Sequence, residues 1–236
     1  MNPGKIYLIP NLLSPDSHAQ AIPPYNLMII QKLQHFFVED VRNARRFISS
    51  LKLGISIDSL QFYLLNKDTG ILEINAMLNP VITGQDAGVI SEAGCPGIAD
   101  PGSVLVAQAY THHIQVCPLV GPSSILLALM ASGMNGQSFV FHGYLPIQAQ
   151  ERKTKIQDLE KKAEKLQQTQ IFIETPYRNN QMLGTLLETC KEHTQLCIAA
   201  NIQAVDEFIQ TKKIGLWKKQ IPDLHKKPAI FLLQVV

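Results

Sequence analysis

Ser91-Glu92-Ala93-Gly94-Cys95-Pro96-Gly97-Ile98-Ala99-Asp100-Pro101-Gly102 is the stretch on which the reading of this chain turns. It follows the apolar run Gly88-Val89-Ile90 and precedes residues 103–110, which read as a helix. A strand is thus followed by a loop with three glycines and two prolines, then a helix. Glycine has no Cβ, so such a loop lets backbone approach a ligand closely. The loop lies past the carboxyl end of a presumed parallel strand, where open α/β sheets bind ligands. The next apolar run ends the same way, in Val116-Cys117-Pro118-Leu119-Val120-Gly121-Pro122-Ser123-Ser124. Two such loops at strand ends predict a nucleotide-like ligand in a cleft.

Outward from these loops, short β-rich runs alternate with helical stretches. Strands are expected at 6–9, 36–38, 62–65, 87–90 and 115–119. Helices are expected at 24–34, 41–51, 71–78 and 104–110, with Asp40 as the cap of the second. This alternation predicts a mainly parallel sheet covered by helices. The second half repeats the theme. Helices are expected at 123–131, at 150–168 as an exposed polar helix, and at 179–192. Strands are expected at 139–141, 171–173, 196–200, 206–212 and 229–235, with an antiparallel arrangement left open for the last two. The fold class is α/β in two domains, 1–119 and 120–236, with the boundary near residues 118–122.

Composition bounds the function. The 236 residues are 46% hydrophobic and 17% charged, enough for a sizeable core. No apolar run approaches the ~18 residues of a membrane span. The start, Met1-Asn2-Pro3-Gly4-Lys5, has no signal-peptide pattern. Four cysteines without a CxxC pair read as reduced thiols of a cytoplasmic protein, with no metal site expected. Residues 1–150 carry 7 Lys/Arg against 9 Asp/Glu, a net of −2, and residues 151–236 carry 14 against 10, a net of +4. A basic second half suits a polyanion such as RNA, although solvated surface lysines account for it equally simply.

Two strand-to-helix turns carry reactive side chains. In Glu39-Asp40-Val41-Arg42, a carboxylate can accept a proton and Arg42 can hold an anion. The structural alternative is a helix cap beside a surface cation. In Glu174-Thr175-Pro176-Tyr177-Arg178, Tyr177 offers a stacking face and Arg178 an anion contact; a plain turn with Pro176 near the helix start competes. His112-His113 ends a helix and needs no metal to explain it. Walker A, G-x-S-x-G, H-E-x-x-H and G-x-G-x-x-G patterns are absent from the sequence.

Taken in order, these stretches make the chain resemble the tetrapyrrole-methylase superfamily, the class III S-adenosylmethionine (SAM)-dependent methyltransferases. The similarity is strongest to its small-subunit ribosomal RNA cytidine 2′-O-methyltransferase branch. Residues 91–102 match that branch's S-D-A-G-T-P-x-I-S-D-P-G, with Glu92 in place of Asp. Residues 118–123 match P-L-P-G-P-S/C. Ser132-Gly133-Met134 and Phe141-His142-Gly143-Tyr144-Leu145-Pro146 match S-G-L and F-x-G-F-L-P. Residues 39–42 match E-D-T-R, and 174–178 match E-x-P-H-R. Two segments depart. After Pro10, Asn11-Leu12-Leu13-Ser14-Pro15 replaces the rest of P-T-P-I-G-N-L, and Ala200, Asn201 and Ile202 stand where R-E-L-T-K begins.

The resemblance implies two α/β domains with SAM in the cleft between them, and a homodimer. It implies cofactor contacts at Pro10, Ser91, Glu92, Ala93, Gly94, Ile98, Ser123 and Ser124, with carbonyls of residues 91–94 facing the sulfonium cation. Glu39, Asp40 and Arg42 become catalytic candidates, and Tyr177 and Arg178 substrate-binding candidates. The expected activity is methylation of an rRNA ribose. Two other readings stay open: a SAM- or RNA-binding protein without catalysis, and a methyltransferase for a small tetrapyrrole-like molecule.

Overall fold

The computed structural model describes residues 2–15 and 17–235, leaving aside the side chains of His18 and Ala19. The chain divides into two compact units, Met1–Ser123 and Ser124–Val236.

The first unit carries β1 (Lys5–Ile9), α1 (His18–Ala21), α2 (Pro24–Ile30), β2 (His35–Val38), α3 (Val41–Ser50) and β3 (Gln61–Leu64). It continues with α4 (Ile71–Met77), α5 (Asn79–Ile82), β4 (Ala87–Ile90), α6 (Gly102–Thr111) and β5 (Gln115–Pro118). Its five strands form one sheet in the order β3-β2-β4-β1-β5, and every pairing is parallel. Parallel sheets bury both faces, so central strands need no polar alternation. All four residues of β4 are accordingly buried. Gly88 sits there because its neighbours fill the space. A Cβ on it would come within 2.5 Å of Ile9 Cδ1 and 3.1 Å of Phe36 Cδ1. One core packs Ile6, Phe37, Val89 and Leu105 together; a second gathers Ile9, Phe36, Ile48 and Ile90.

The second unit carries α7 (Ser124–Ser132), β6 (Phe139–Tyr144), α8 (Ala149–Leu166), β7 (Thr169–Glu174), α9 (Asn179–Thr189) and β8 (Gln195–Ala200). β9 (Phe208–Lys213), α10 (Ile214–Trp217) and β10 (Ala229–Gln234) complete it. Its sheet runs β6-β7-β10-β8-β9. Only β6 and β7 are parallel; β10 lies antiparallel to β7 and β8, and β9 antiparallel to β8. The expected exposed helix proves two-sided. α8 buries Arg152, Ile156, Leu159, Glu160 and Ala163, a stripe at helical spacing that packs on β7, β10 and α9. Trp217 is fully buried in this core; its indole N–H donates to the Leu196 carbonyl at 2.9 Å, and Lys212 Nζ lies 4.6 Å from the ring centre.

Among the described residues, no helix is long and apolar enough to cross a membrane, and no group of three or more His, Cys, Asp or Glu is placed to hold a metal ion.

Candidate functional site

Strand order decides where the first unit opens. From β1 the chain runs to β2, on the far side of β4; from β4 it runs to β5, on the far side of β1. The connections leaving these neighbours diverge, and open parallel sheets bind ligands at such a point. Ile9 pairs with Ile90, so both strands end level. The loops that follow β1, β4 and β5 are the ones holding the cofactor candidates.

Asn11 ties the first two loops together. Its backbone N–H donates to the Gly94 carbonyl at 2.8 Å, and the Gly94 N–H donates back at 3.1 Å. Its side-chain amide donates to the Ser91 carbonyl at 2.8 Å and the Glu92 carbonyl at 3.1 Å. Ser91 is buried and turns inward, its hydroxyl donating to the Gly94 carbonyl at 3.2 Å and the Ala93 carbonyl at 3.4 Å. The carbonyls of residues 91–94, expected to face a cation, thus already accept protein donors. Sequence reading missed Asn11, whose signal was an amide one residue past Pro10.

The third loop closes against Pro10. A Cβ on Gly121 would lie 2.3 Å from Pro10 Cβ, so only glycine permits this approach. Cys95 Sγ donates to the Pro122 carbonyl at 3.4 Å and joins the second loop to the third. Gly94 holds φ +70°, which a β-branched side chain resists. Ala93, Ile98 and Val120 stay exposed on these loops, and Ser123 closes the unit. Ser124 opens α7 in the second unit.

Asp100 shapes the remainder of the second loop. Its Oδ1 accepts the N–H groups of Gly97 at 2.8 Å and Gly102 at 2.7 Å. A cavity with room for about one water lies between Glu39, at the end of β2, and Asp100, with Phe37, Ser91 and Pro101 in its wall. Burial pushes the Glu39 carboxyl above the usual carboxylate range, and the negative charges of Asp100 and then Glu92 push the same way, against a lowering hydrogen bond from the Glu92 N–H. Burial also raises Asp100, against the two glycine N–H groups that favour its charge. A half-buried carboxyl raised toward neutrality suits proton acceptance.

The neighbouring candidates differ. Asp40 is the cap of α3, its Oδ1 accepting the Asn43 N–H at 2.8 Å. Asn43 also donates to Glu92 Oε2 at 2.6 Å, which holds that side chain against α3. Arg42 lies exposed in the first turn of α3. The helix dipole disfavours a cation there, so the position costs some stability.

In the second unit, the turn after β7 is built around Glu174. Its side chain is 1% exposed, and Oε1 accepts the Thr175 N–H at 2.6 Å, Arg178 Nε at 3.0 Å and the Arg178 terminal nitrogen at 2.6 Å. Arg178 therefore spends its charge on Glu174, while Tyr177 stays 72% exposed. Beyond β8, Asn201 takes a left-handed conformation at φ +50° and donates its N–H to the Pro228 carbonyl at 2.9 Å.

No family model matches the chain. It is 27% identical over 205 residues to ribosomal RNA small subunit methyltransferase I of Vibrio cholerae, an alignment covering 87% of this chain and 67% of that one. It is 31% identical over 172 residues to the protein of that name from Buchnera aphidicola, covering 72% and 59%. For the Mesorhizobium japonicum protein the values are 36% over 128 residues, 54% and 42%. The chain is similar in sequence to ribosomal RNA small subunit methyltransferases. The chain thus spans between 42% and 67% of the length of these three relatives. Among solved structures, the methyltransferase CobJ shares the fold, with a TM-score of 0.64 over 99% of this chain and 95% of that one at 14% identity. The motif residues of the first unit gather on the carboxyl edge of its sheet, and the E-x-P-x-R segment caps β7 in the second.

Two outcomes follow. A carboxyl group whose folded pKa is raised contributes stability below its ordinary pKa, and loses it as pH rises through the raised value. Glu39→Gln keeps an acceptor for the Glu92 N–H and removes the charge. Its melting temperature relative to wild type is expected to climb as pH rises from 4 to 8. A difference constant over that range in scanning calorimetry contradicts the account in which burial and the nearby carboxylates disfavour the Glu39 charge. Removing Arg178 leaves a buried carboxylate uncompensated. Arg178→Ala is expected to cost about 1–3 kcal/mol, less than a fully buried pair because Arg178 is partly solvated. In urea denaturation, Glu174→Gln combined with Arg178→Ala should cost less than the sum of the two single changes.

Proposed function

We propose that this chain is a SAM-dependent methyltransferase acting on ribosomal RNA, with a ribose 2′-hydroxyl as acceptor. The observation that carries the reading is the convergence of three motif-bearing loops at the divergence of β1 and β4. The names of the sequence relatives support the same class of reaction.

The residues present fit the cofactor. Exposed Ile98 and Val120 offer apolar surface to an adenine ring. Pro10 and Gly121 hold the first and third loops in close contact. SAM supplies an electrophilic methyl group, whose bond to sulfur breaks in an in-line displacement. Glu39 is the side chain suited to take the proton of the attacking hydroxyl, because burial and Asp100 raise its basicity. Arg42 is free to hold an RNA phosphate. Positioning then supplies much of the acceleration. An enzyme for ribosomal RNA works in the cytoplasm, where the four cysteines stay reduced. The superfamily resemblance further suggests a homodimer.

A binding protein without catalysis is favoured by one observation: Ala200, Asn201 and Ile202 stand where the branch carries R-E-L, so this segment lacks an arginine and a carboxylate. The test separates the two. Titration calorimetry is expected to show SAM binding, and labelled SAM to transfer methyl to unmodified small-subunit RNA or small subunits. Glu39→Gln should lower transfer at least tenfold with cofactor affinity kept. Asn11→Asp, which turns an oxygen toward the Ser91 and Glu92 carbonyls, should weaken SAM binding at least tenfold. Binding without transfer to either RNA form leaves the binding protein; no binding removes both readings. Light scattering is expected to give twice the 26.3 kDa of the chain, and a mass of one chain at micromolar concentration excludes the dimer.

A further inference from the structure

We infer that the turn of residues 223–228, together with Tyr177, forms a platform that grips the single-stranded RNA flanking the acceptor nucleotide. The inference rests on the RNA reading above. The turn is fastened at four points to residues 176–180, one bond reaching Pro176 and three the start of α9. Lys226 N–H donates to the Pro176 carbonyl at 3.0 Å, and the Asn179 amide donates to the Lys227 carbonyl at 2.6 Å. The Leu224 N–H donates to Asn180 Oδ1 at 2.7 Å, and Asn180 Nδ2 donates to Asp223 Oδ1 at 2.7 Å. Leu224 itself is buried among the core side chains. The turn is thus a rigid part of the unit's surface, and what it displays is displayed in a fixed place.

It displays a ring beside cations. The His225 ring meets Tyr177 at 72°, centre to centre 6.4 Å, and Tyr177 keeps 72% of its surface open. Lys226 is held in the left-handed region at φ +59°, a conformation disfavoured for lysine, and its side chain is exposed; Lys227 follows half-buried. Single strands are gripped by this pairing of a stacking face with backbone-neutralising cations. Two acids share the region. Glu174 is taken up by Arg178, and Asp223 is held by Asn180 and the His225 N–H. Lys226 and Lys227, rather than Arg178, then supply the charge that meets phosphate.

The test uses the full chain with deproteinised small-subunit ribosomal RNA. Lys226→Asn suits the left-handed backbone and is combined with Lys227→Gln. The pair is expected to weaken RNA binding about tenfold near 0.1 M salt, and to flatten the plot of log affinity against log salt by about one to two units. Tyr177→Ala should weaken binding about tenfold through lost stacking, and Tyr177→Phe should keep it. SAM affinity, measured in parallel, should stay within twofold in every variant. Wild-type binding with less than twofold loss in both the lysine pair and Tyr177→Ala overturns the platform and leaves the RNA reading standing. Equal losses in Tyr177→Ala and Tyr177→Phe overturn the stacking role. Failure of the wild-type chain to bind or methylate RNA overturns the RNA reading, and the platform with it.

Discussion

One side-chain amide holds the carboxyl edge of the first unit in shape. Asn11 reaches across eighty residues of sequence to Ser91, and its amide satisfies two carbonyls of a loop that has no secondary structure to do so. Buried polar groups left unpaired cost about 1–3 kcal/mol each, so the loop's conformation depends on this contact. The rest of the edge is arranged around it. The level ends of β1 and β4 bring Asn11 to Gly94, the left-handed backbone at Gly94 accepts the pairing, and Gly121 lets the third loop close on Pro10. Ala93, Ile98 and Val120 are left outside, together with Glu92, whose carboxylate is taken by Asn43.

Burial treats two carboxyl groups oppositely. Glu39 faces Asp100 across a space of about one water and receives one backbone N–H, so its charge is disfavoured. Glu174 is more deeply enclosed, yet it accepts three donors from residues immediately after it. Enclosure with a single donor beside another carboxylate produces a group fit to carry a proton; enclosure with three donors produces a fastening. The two acids begin motifs of similar form, and composition alone does not tell them apart.

The parallel first sheet was legible because each strand is a short apolar run punctuated by Gly and Pro. The helix over 150–168 was legible in extent but not in orientation. Its buried stripe, residues 152, 156, 159, 160 and 163, includes an arginine and a glutamate that read as solvent-facing. Arg152 is held there by the Ile147 carbonyl and Thr185, and Glu160 by Thr194 and the Lys191 N–H. The four-residue helices α1, α5 and α10 are too short to show a period. In the site, Glu39 stood out as a carboxylate at a strand end, whereas Asn11 did not, because its partners lie a whole sheet crossing away. Arg178 was visible as a cation, but its partner four residues earlier already answers it.

The burial of Trp217 has a practical consequence. It is the chain's sole tryptophan, enclosed beside Phe208 with its indole N–H bonded to backbone. Its emission therefore follows the integrity of the second unit alone, while the first unit contributes only tyrosine light. Loosening of the second unit can thus be read, without labels, from a red shift of that single emission.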